Sequence, residues 1–317
     1  MRLNRKSGQS GFSVGEMGVA IGVAALLGVA FYQVLQSGLT LTAKNTAVNA
    51  AHEEAKQGVL RLTRDIHASI SVPQLRDNNF AVVSSTPVPG SSNPVAPTAA
   101  GVSFQNISSG PNYVWKDPGN PSLVMIRDNP KPTEGMRLII PFWGIEDDIV
   151  SVTATGTANH SNVFTAHAME TNINKAPAFM NGTTYAIVYY TDRAMYVVEN
   201  GAYVADSAGD LTLSGGVYTS VTPGTGTYHY ERGELNFYKQ RLSGSTLVWR
   251  KIATVARYIS TPKPFYVPLN RSGSSNNKYV GVNLSARDPK SSNRGYIATA
   301  SLLSTQVDYR SRLTLEQ

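Results

Sequence analysis

Hydrophobic residues follow three successive patterns along this chain. Over residues 17–35 they are nearly continuous, with Gln33 as the only strongly polar side chain, and the uncharged run goes on to Thr42. About 20 apolar residues carry a helix across the hydrocarbon core of a bilayer, so residues 17–36 predict a membrane span. From Val48 the apolar positions become periodic. Val48, Ala51, Ala55, Val59, Leu62, Ile66 and Ile70 are three or four apart, one face of a helix, and the charged residues Glu53, Glu54, Lys56, Arg61, Arg64 and Asp65 lie mostly off that stripe. Pro73 stops the pattern. Together the two patterns predict one near-continuous helix from about Phe12 to Ser71, roughly 90 Å long at 1.5 Å per residue, with Gly38 and Gly58 as its soft points.

The third pattern is strand-like. Runs at 102–107, 123–127, 136–141, 148–155, 185–191, 195–199, 217–221, 247–253, 279–286 and 296–308 predict strands, with Asp192-Arg193-Ala194 as the short loop of a hairpin between 185–191 and 195–199. Between them, 84–101 (Pro87, Pro89, Pro94, Pro97), the glycine-rich stretch 200–226 and the polar stretch 260–278 predict exposed loops. No internal repeat is present. The fold class expected is α+β: a long N-terminal helix, membrane-spanning in its first half, packed by its second half on a strand-dominated antiparallel globular head formed by residues 72–317.

Composition adds limits. At 317 residues, 41% hydrophobic and 15% charged, the chain has ample material for a folded core. Formal net charge is +7, falling to +4 if a leader carrying Arg2, Arg5 and Lys6 is removed. No extended run of Lys and Arg concentrates the positive charge, so nucleic acid is not indicated as a partner. There are no cysteines, which excludes disulfides and all thiol-based metal or redox chemistry. Basic residues before the span and none just after it place the N-terminus in the cytoplasm and the head outside it.

The start of the chain carries its most specific motif. A basic leader is followed by Gly11-Phe12-Ser13-Val14-Gly15-Glu16 and then the apolar span. A carboxylate at the edge of a span is costly unless paired, so Glu16 needs a partner. This order resembles the N-terminus of type IV prepilins and pseudopilins. The resemblance implies cleavage of the leader (residues 1–11) after Gly11, N-methylation of Phe12, and pairing of Glu16 with the terminal amine of a neighbouring subunit. It also implies the partners: a prepilin peptidase, other pilin-like subunits, an inner-membrane assembly platform and an assembly ATPase, with membrane lipid around the span. The family usually reads Gly-Phe-Thr-Leu-Ile-Glu, often with a helix-kinking proline in the span and a disulfide late in major subunits. Here Ser13, Val14 and Gly15 stand in the middle, and proline and cysteine are missing. Those departures, and a late stretch 280–287 similar to the end of the heads, favour a larger minor subunit of the J-type pseudopilin or W-type minor pilin kind. Gly18 and Gly22 form a GxxxG pair, continued by Ala25, a small-residue face of the sort that lets membrane helices approach closely.

Other readings of the same stretch are a secretory signal cut near Gly28-Val29-Ala30 and a plain signal anchor. The apolar run exceeds the 7–15 residues of a secretory signal and opens on a carboxylate. Another class of function, a membrane-anchored surface binding or adhesion module exported by the same route, shares the anchor. An enzyme is not expected. Phosphate-binding loop, nucleophile elbow and dinucleotide fingerprint are all missing, and His52-Glu53-Glu54 lacks the second histidine of a zincin helix, since position 56 is Lys. His160 and His167 have only Glu170 nearby as a carboxylate. No cofactor is expected. Glu146, Asp147 and Asp148 are the one dense acidic cluster and the weak candidates for calcium, although hard cations want several oxygens spaced through one loop; a solvated turn is the plainer reading. The late aromatics Tyr228, Tyr230, Phe237, Tyr238, Phe265 and Tyr266 are expected to pack sheet faces.

Overall fold

One helix organises the molecule. In a computed structural model, which describes residues 13–84, 97–116, 123–125, 131–140, 145–154, 161–166, 186–205, 213–214, 217–218, 228–269, 279–287 and 303–308, α1 (Val14–His67) runs unbroken for 54 residues, about 80 Å at 1.5 Å per residue. It passes straight through both glycines expected to soften it. At Gly38 the Thr42 hydroxyl donates back to the carbonyl at 2.9 Å. At Gly58 a Cβ would meet Leu284 Cδ2 at 3.0 Å and Ala256 Cβ at 3.2 Å, so this glycine lets the helix lie close against the head.

The helix ends at His67, four residues before Ser71. Backbone pairing overrides the periodic pattern there. Ile70 N–H donates to the Gln105 carbonyl at 2.8 Å, Ser69 bridges to Asn106, and the Ser69 hydroxyl also reaches Gln105 O at 3.2 Å. The chain is drawn into the sheet before Pro73 can act.

The strands that follow are β1 (Gln74–Arg76), β2 (Thr98–Ala99), β3 (Gly101–Lys116), β4 (Leu123–Met125), β5 (Arg137–Ile140), β6 (Ile145–Ala154), β7 (Ser161–Thr165), β8 (Ala186–Glu199), β9 (Ala202–Ala205), β10 (Leu213–Ser214), β11 (Val217–Tyr218), β12 (Tyr228–Glu231), β13 (Gly233–Ser243), β14 (Thr246–Ile259), β15 (Phe265–Tyr266), β16 (Tyr279–Leu284) and β17 (Leu303–Asp308). All their pairings are antiparallel. β3 and β8 form the long central pair, from Gly101↔Val197 to Val114↔Ala186. At one end β1 joins β3, and β13 with β14 extends the sheet from β8. At the other end the pairing passes from β3 through β4, β7, β6 and β5 to β8, which pairs back to β3. Those six strands close a ring, which removes the exposed edges an open sheet would leave. Leu138, Ile140, Ile149, Val163, Val188 and Tyr190 are fully buried in this part. A second sheet has the order β17-β16-β15-β2.

The buried helix stripe, Ala47, Ala51, Ala55, Gly58, Val59, Leu62 and Ile66, matches the periodic positions read from the sequence, shifted by a residue at its start, where Val48 is half-buried. It packs with residues of both sheets, among them Val102, Tyr196, Val198, Leu235, Ile259, Phe265 and Leu284. Polar contacts tie the helix down at the edges of this core. Tyr196 O–H donates to Asp65 Oδ2 at 2.6 Å, and burial first, then that carboxylate, pushes the phenol above its ordinary pKa. Arg61 lies over the Phe237 ring at 5.1 Å. Glu54 accepts from the Arg257 backbone N–H at 2.7 Å, which occupies a donor on the outer strand β14.

Several local expectations are corrected. Asp192-Arg193-Ala194 is not a hairpin loop: β8 runs through it, pairing with β3 on one side and β13 on the other. The charged residues that suggested a turn have partners in the neighbouring strands, as described below. Stretch 260–278 is not an exposed loop over its described part, because Phe265 is fully buried and Val267 is 3% exposed; its residues 270–278 lie outside the described residues. The end of 84–101 is likewise core, with Ala99 and Ala100 buried, while 85–96 lie outside. The sequence predicts only one strand of the β13–β14 pair, at 247–253. Gly244, at φ +63°, makes a two-residue turn between the paired Ser243 and Thr246, and the Gly-Ser dipeptide there is a recognised hairpin signal. Of the late aromatics, Tyr230, Phe237, Tyr238 and Phe265 are buried as expected.

Candidate functional site

Among the described residues, most of the exposed large hydrophobic side chains lie in the first half of α1. Residues 13–39 are exposed throughout, including Val14 at 90% and Leu26 at 73%. An 18-residue apolar window in this helix, long enough to cross a membrane, has 0% of its residues buried against the head. An exposed contiguous apolar surface of this size marks a contact with a membrane or with another apolar surface. Gly18, Gly22 and Ala25 lie on it at spacings of four and three, and a Cβ added at Gly18 or Gly22 would meet nothing within 4 Å. The small-residue face is therefore open along its length.

Glu16 sits at the head of this surface, in a role that sequence reasoning missed. Ser13 is the N-cap: its hydroxyl accepts from Glu16 N–H at 3.2 Å, and Glu16 Oε2 accepts from Ser13 N–H at 2.9 Å. This is a reciprocal capping box, and the signal was present as Ser-x-x-Glu ahead of an apolar run. The carboxylate also lies where the helix dipole favours negative charge. Thus Glu16 has a partner within its own chain, Ser13. Gly11 and Phe12 lie outside the described residues.

The acidic cluster is neither a solvated turn nor a metal loop. Strand alternation in β6 divides it. Glu146 and Asp148 face arginines, with Arg137 2.6 Å from Glu146 and 3.0 Å from Asp148, and Arg193 3.3 Å from Asp148. Arg137 and Asp148 are direct cross-strand partners. Asp147 points the other way, is 4% exposed, and accepts from Asp148 N–H at 2.8 Å. Among the described residues no group of three or more His, Asp and Glu side chains could hold a metal ion. His52 and Glu53 are exposed on the helix; His160, His167 and Glu170 lie outside the described residues.

A second charged cluster occupies the head. Asp192, 2% exposed, accepts from Lys239 Nζ at 2.5 Å, from an Arg241 guanidinium N–H at 2.7 Å and from the Ser108 hydroxyl at 2.8 Å. Burial by itself would raise its pKa, but the hydrogen bonds and charges of Lys239 and Arg241 outweigh burial and hold it below the usual value. Sequence spacing could not reveal this pairing, because the partners are 47 and 49 residues away. Comparison of the chain with protein-family models, with curated proteins and with solved structures gives no match.

Proposed function

We propose that the protein is a minor pilin or pseudopilin, a structural and assembly subunit of a type IV pilus or a type II secretion pseudopilus. The observation that carries this reading is the division of one helix into two environments: a membrane-length apolar half standing clear of the head, opened by a lone carboxylate, and a half packed into the head's core. On this reading the leader is cut after Gly11, Phe12 becomes the methylated terminus, and the span anchors the protein in the cytoplasmic membrane with its head outside. The open Gly18–Gly22–Ala25 face then packs on the helices of other pilin-like subunits. The prepilin peptidase, platform and ATPase are the remaining partners.

Intact mass and N-terminal sequencing of the membrane-extracted protein from its own host test the first step. The wild-type chain is expected to begin at N-methylated Phe12 and a Gly11→Ala chain at Met1; a start near Phe31 would instead mark an ordinary exported protein. Glu16 needs a finer test, because it also caps the helix. Glu16→Gln keeps a capping-box partner for Ser13 N–H but cannot form an ion pair with an amine, whereas Glu16→Val loses both. Both variants are expected to insert normally and to enter filaments at about a tenth of the wild-type level or less, the loss of a desolvated ion pair worth at least about 1.4 kcal/mol. Wild-type filament recovery with Glu16→Gln would assign Glu16 a capping role alone.

A further inference from the structure

A cleft of about 420 Å³ opens on the face of the large sheet away from the buried helix stripe. Six strands converge there: β1 supplies Arg76 and Gln74, β3 Ser103, β5 Arg137, β8 Arg193, β13 Gln240 and β14 Trp249. The volume is in the range of small-molecule sites. Among the described residues that line it, every charged one is an arginine. The carboxylates that face these arginines, Glu146 and Asp148, are not among the lining residues, and they engage Arg137 and Arg193. Arg193 also donates to Gln240 Oε1 at 2.9 Å.

Arg76 is the least compensated of the three. Its hydrogen bonds all go to neutral oxygens, Ser103 Oγ at 2.9 Å, the Phe80 carbonyl at 2.9 Å and Gln74 Oε1 at 3.1 Å. The neighbouring Asp77 carboxylate accepts from the backbone N–H groups of Asn79 and Ala81. Burial first, and then the like charge of Arg193, holds the Arg76 guanidinium below its ordinary pKa, with Asp77 opposing. Arg193 is lowered in the same way, by burial and then by Arg137. These contacts fix the guanidinium planes before anything binds, and an anion between Arg76 and Arg193 would relieve their repulsion. Planar guanidinium forks suit carboxylates and phosphates alike, through paired charge-assisted hydrogen bonds, and with Glu146 and Asp148 already engaging Arg137 and Arg193 the single charge of a carboxylate is the better match. The amides of Gln74 and Gln240 and the hydroxyl of Ser103 supply donors and acceptors for a hydroxylated body, and the Trp249 indole, 6.0 Å from the Arg76 guanidinium, gives one apolar wall.

We propose that this cleft is a binding site for a small carboxylate-bearing, hydroxylated ligand of the sugar-acid class. The site lies wholly in the head, so it stands or falls separately from the assembly reading. The test is calorimetric titration of the full chain in detergent micelles with glucuronate, glucose, acetate and inorganic phosphate. Glucuronate is expected to bind about tenfold or more tightly than each of the other three, the worth of one charge-assisted hydrogen bond. Arg193→Gln and Arg76→Gln are each expected to weaken glucuronate by a similar factor, and Arg76→Lys, which keeps the charge without the fork, by less than Arg76→Gln. Thermal midpoints identify any variant that fails to fold, and Arg76→Lys keeps the test alive in that case. No glucuronate binding, equal binding of glucose or phosphate, or indifference to all three substitutions overturns the proposal.

Discussion

Asp192→Ala is expected to be among the most destabilising single changes in the head, at about 3 kcal/mol. Truncating one partner of a buried ion pair typically costs about 3–5 kcal/mol, because the other charge is left without compensation. Here two cations, Lys239 and Arg241, would be left facing each other. The lower end of the range applies because their side chains keep 28% and 21% of their surface in contact with water. Denaturant unfolding of the full chain in micelles, followed by near-ultraviolet circular dichroism, measures the difference.

The same residue fixes a direction for pH. Asp192 has a folded-state pKa below its ordinary value, so its contribution is fully present above the unfolded value of about 3.9 and is lost as pH falls through the lower folded value. Wild type should therefore lose stability from about pH 4 downward more steeply than Asp192→Ala. Equal slopes in that window would show that the ion pairs contribute nothing net to the fold.

Leu62→Ala is the second large effect, about 2–5 kcal/mol, the cost of deleting a buried leucine side chain and leaving a cavity. Leu62 is fully buried in the stripe where the helix meets both sheets. Leu60, two residues away, is 60% exposed, and Leu60→Ala should stay within about 0.5 kcal/mol of wild type, as surface substitutions usually do. A comparable loss at both positions would mean that the helix does not dock by the face described. The comparison bears on function, since the docked half of α1 is the mechanical connection between the apolar half and the head.

The legibility of this protein in its sequence falls off along the chain. The helix could be read because both its signals are local: an unbroken apolar run, then a three-to-four spacing that survives as Ala51, Ala55, Val59, Leu62 and Ile66 in the core. Its end could not, because Ser69 and Ile70 leave it for backbone partners on β3, 35 or more residues away. In the strands, apolar runs such as 136–141 were legible. Asp192-Arg193-Ala194 misled, since charged residues in the middle of a strand look like a turn until the cross-strand cations and anions that satisfy them are in place. Phe265 and Ala99 lie inside a polar and a proline-rich stretch, and only their pairing across β15 and β2 places them in the core.

The candidate sites divide in the same way. The carboxylate at the head of the apolar span, the open Gly18–Gly22–Ala25 face and the membrane-length segment follow from residues within one helix, where spacing alone determines what shares a surface. Ser13 and Glu16 were equally within reach of the sequence, being three positions apart, and only their reading as a cap was missed. The splitting of Glu146, Asp147 and Asp148 between two faces, the Asp192 cluster and the convergence of Arg76, Arg137 and Arg193 on one cleft were decided by tertiary structure. Each depends on which strands become neighbours and in what register, and a one-residue slip would send every side chain of a strand to the opposite face.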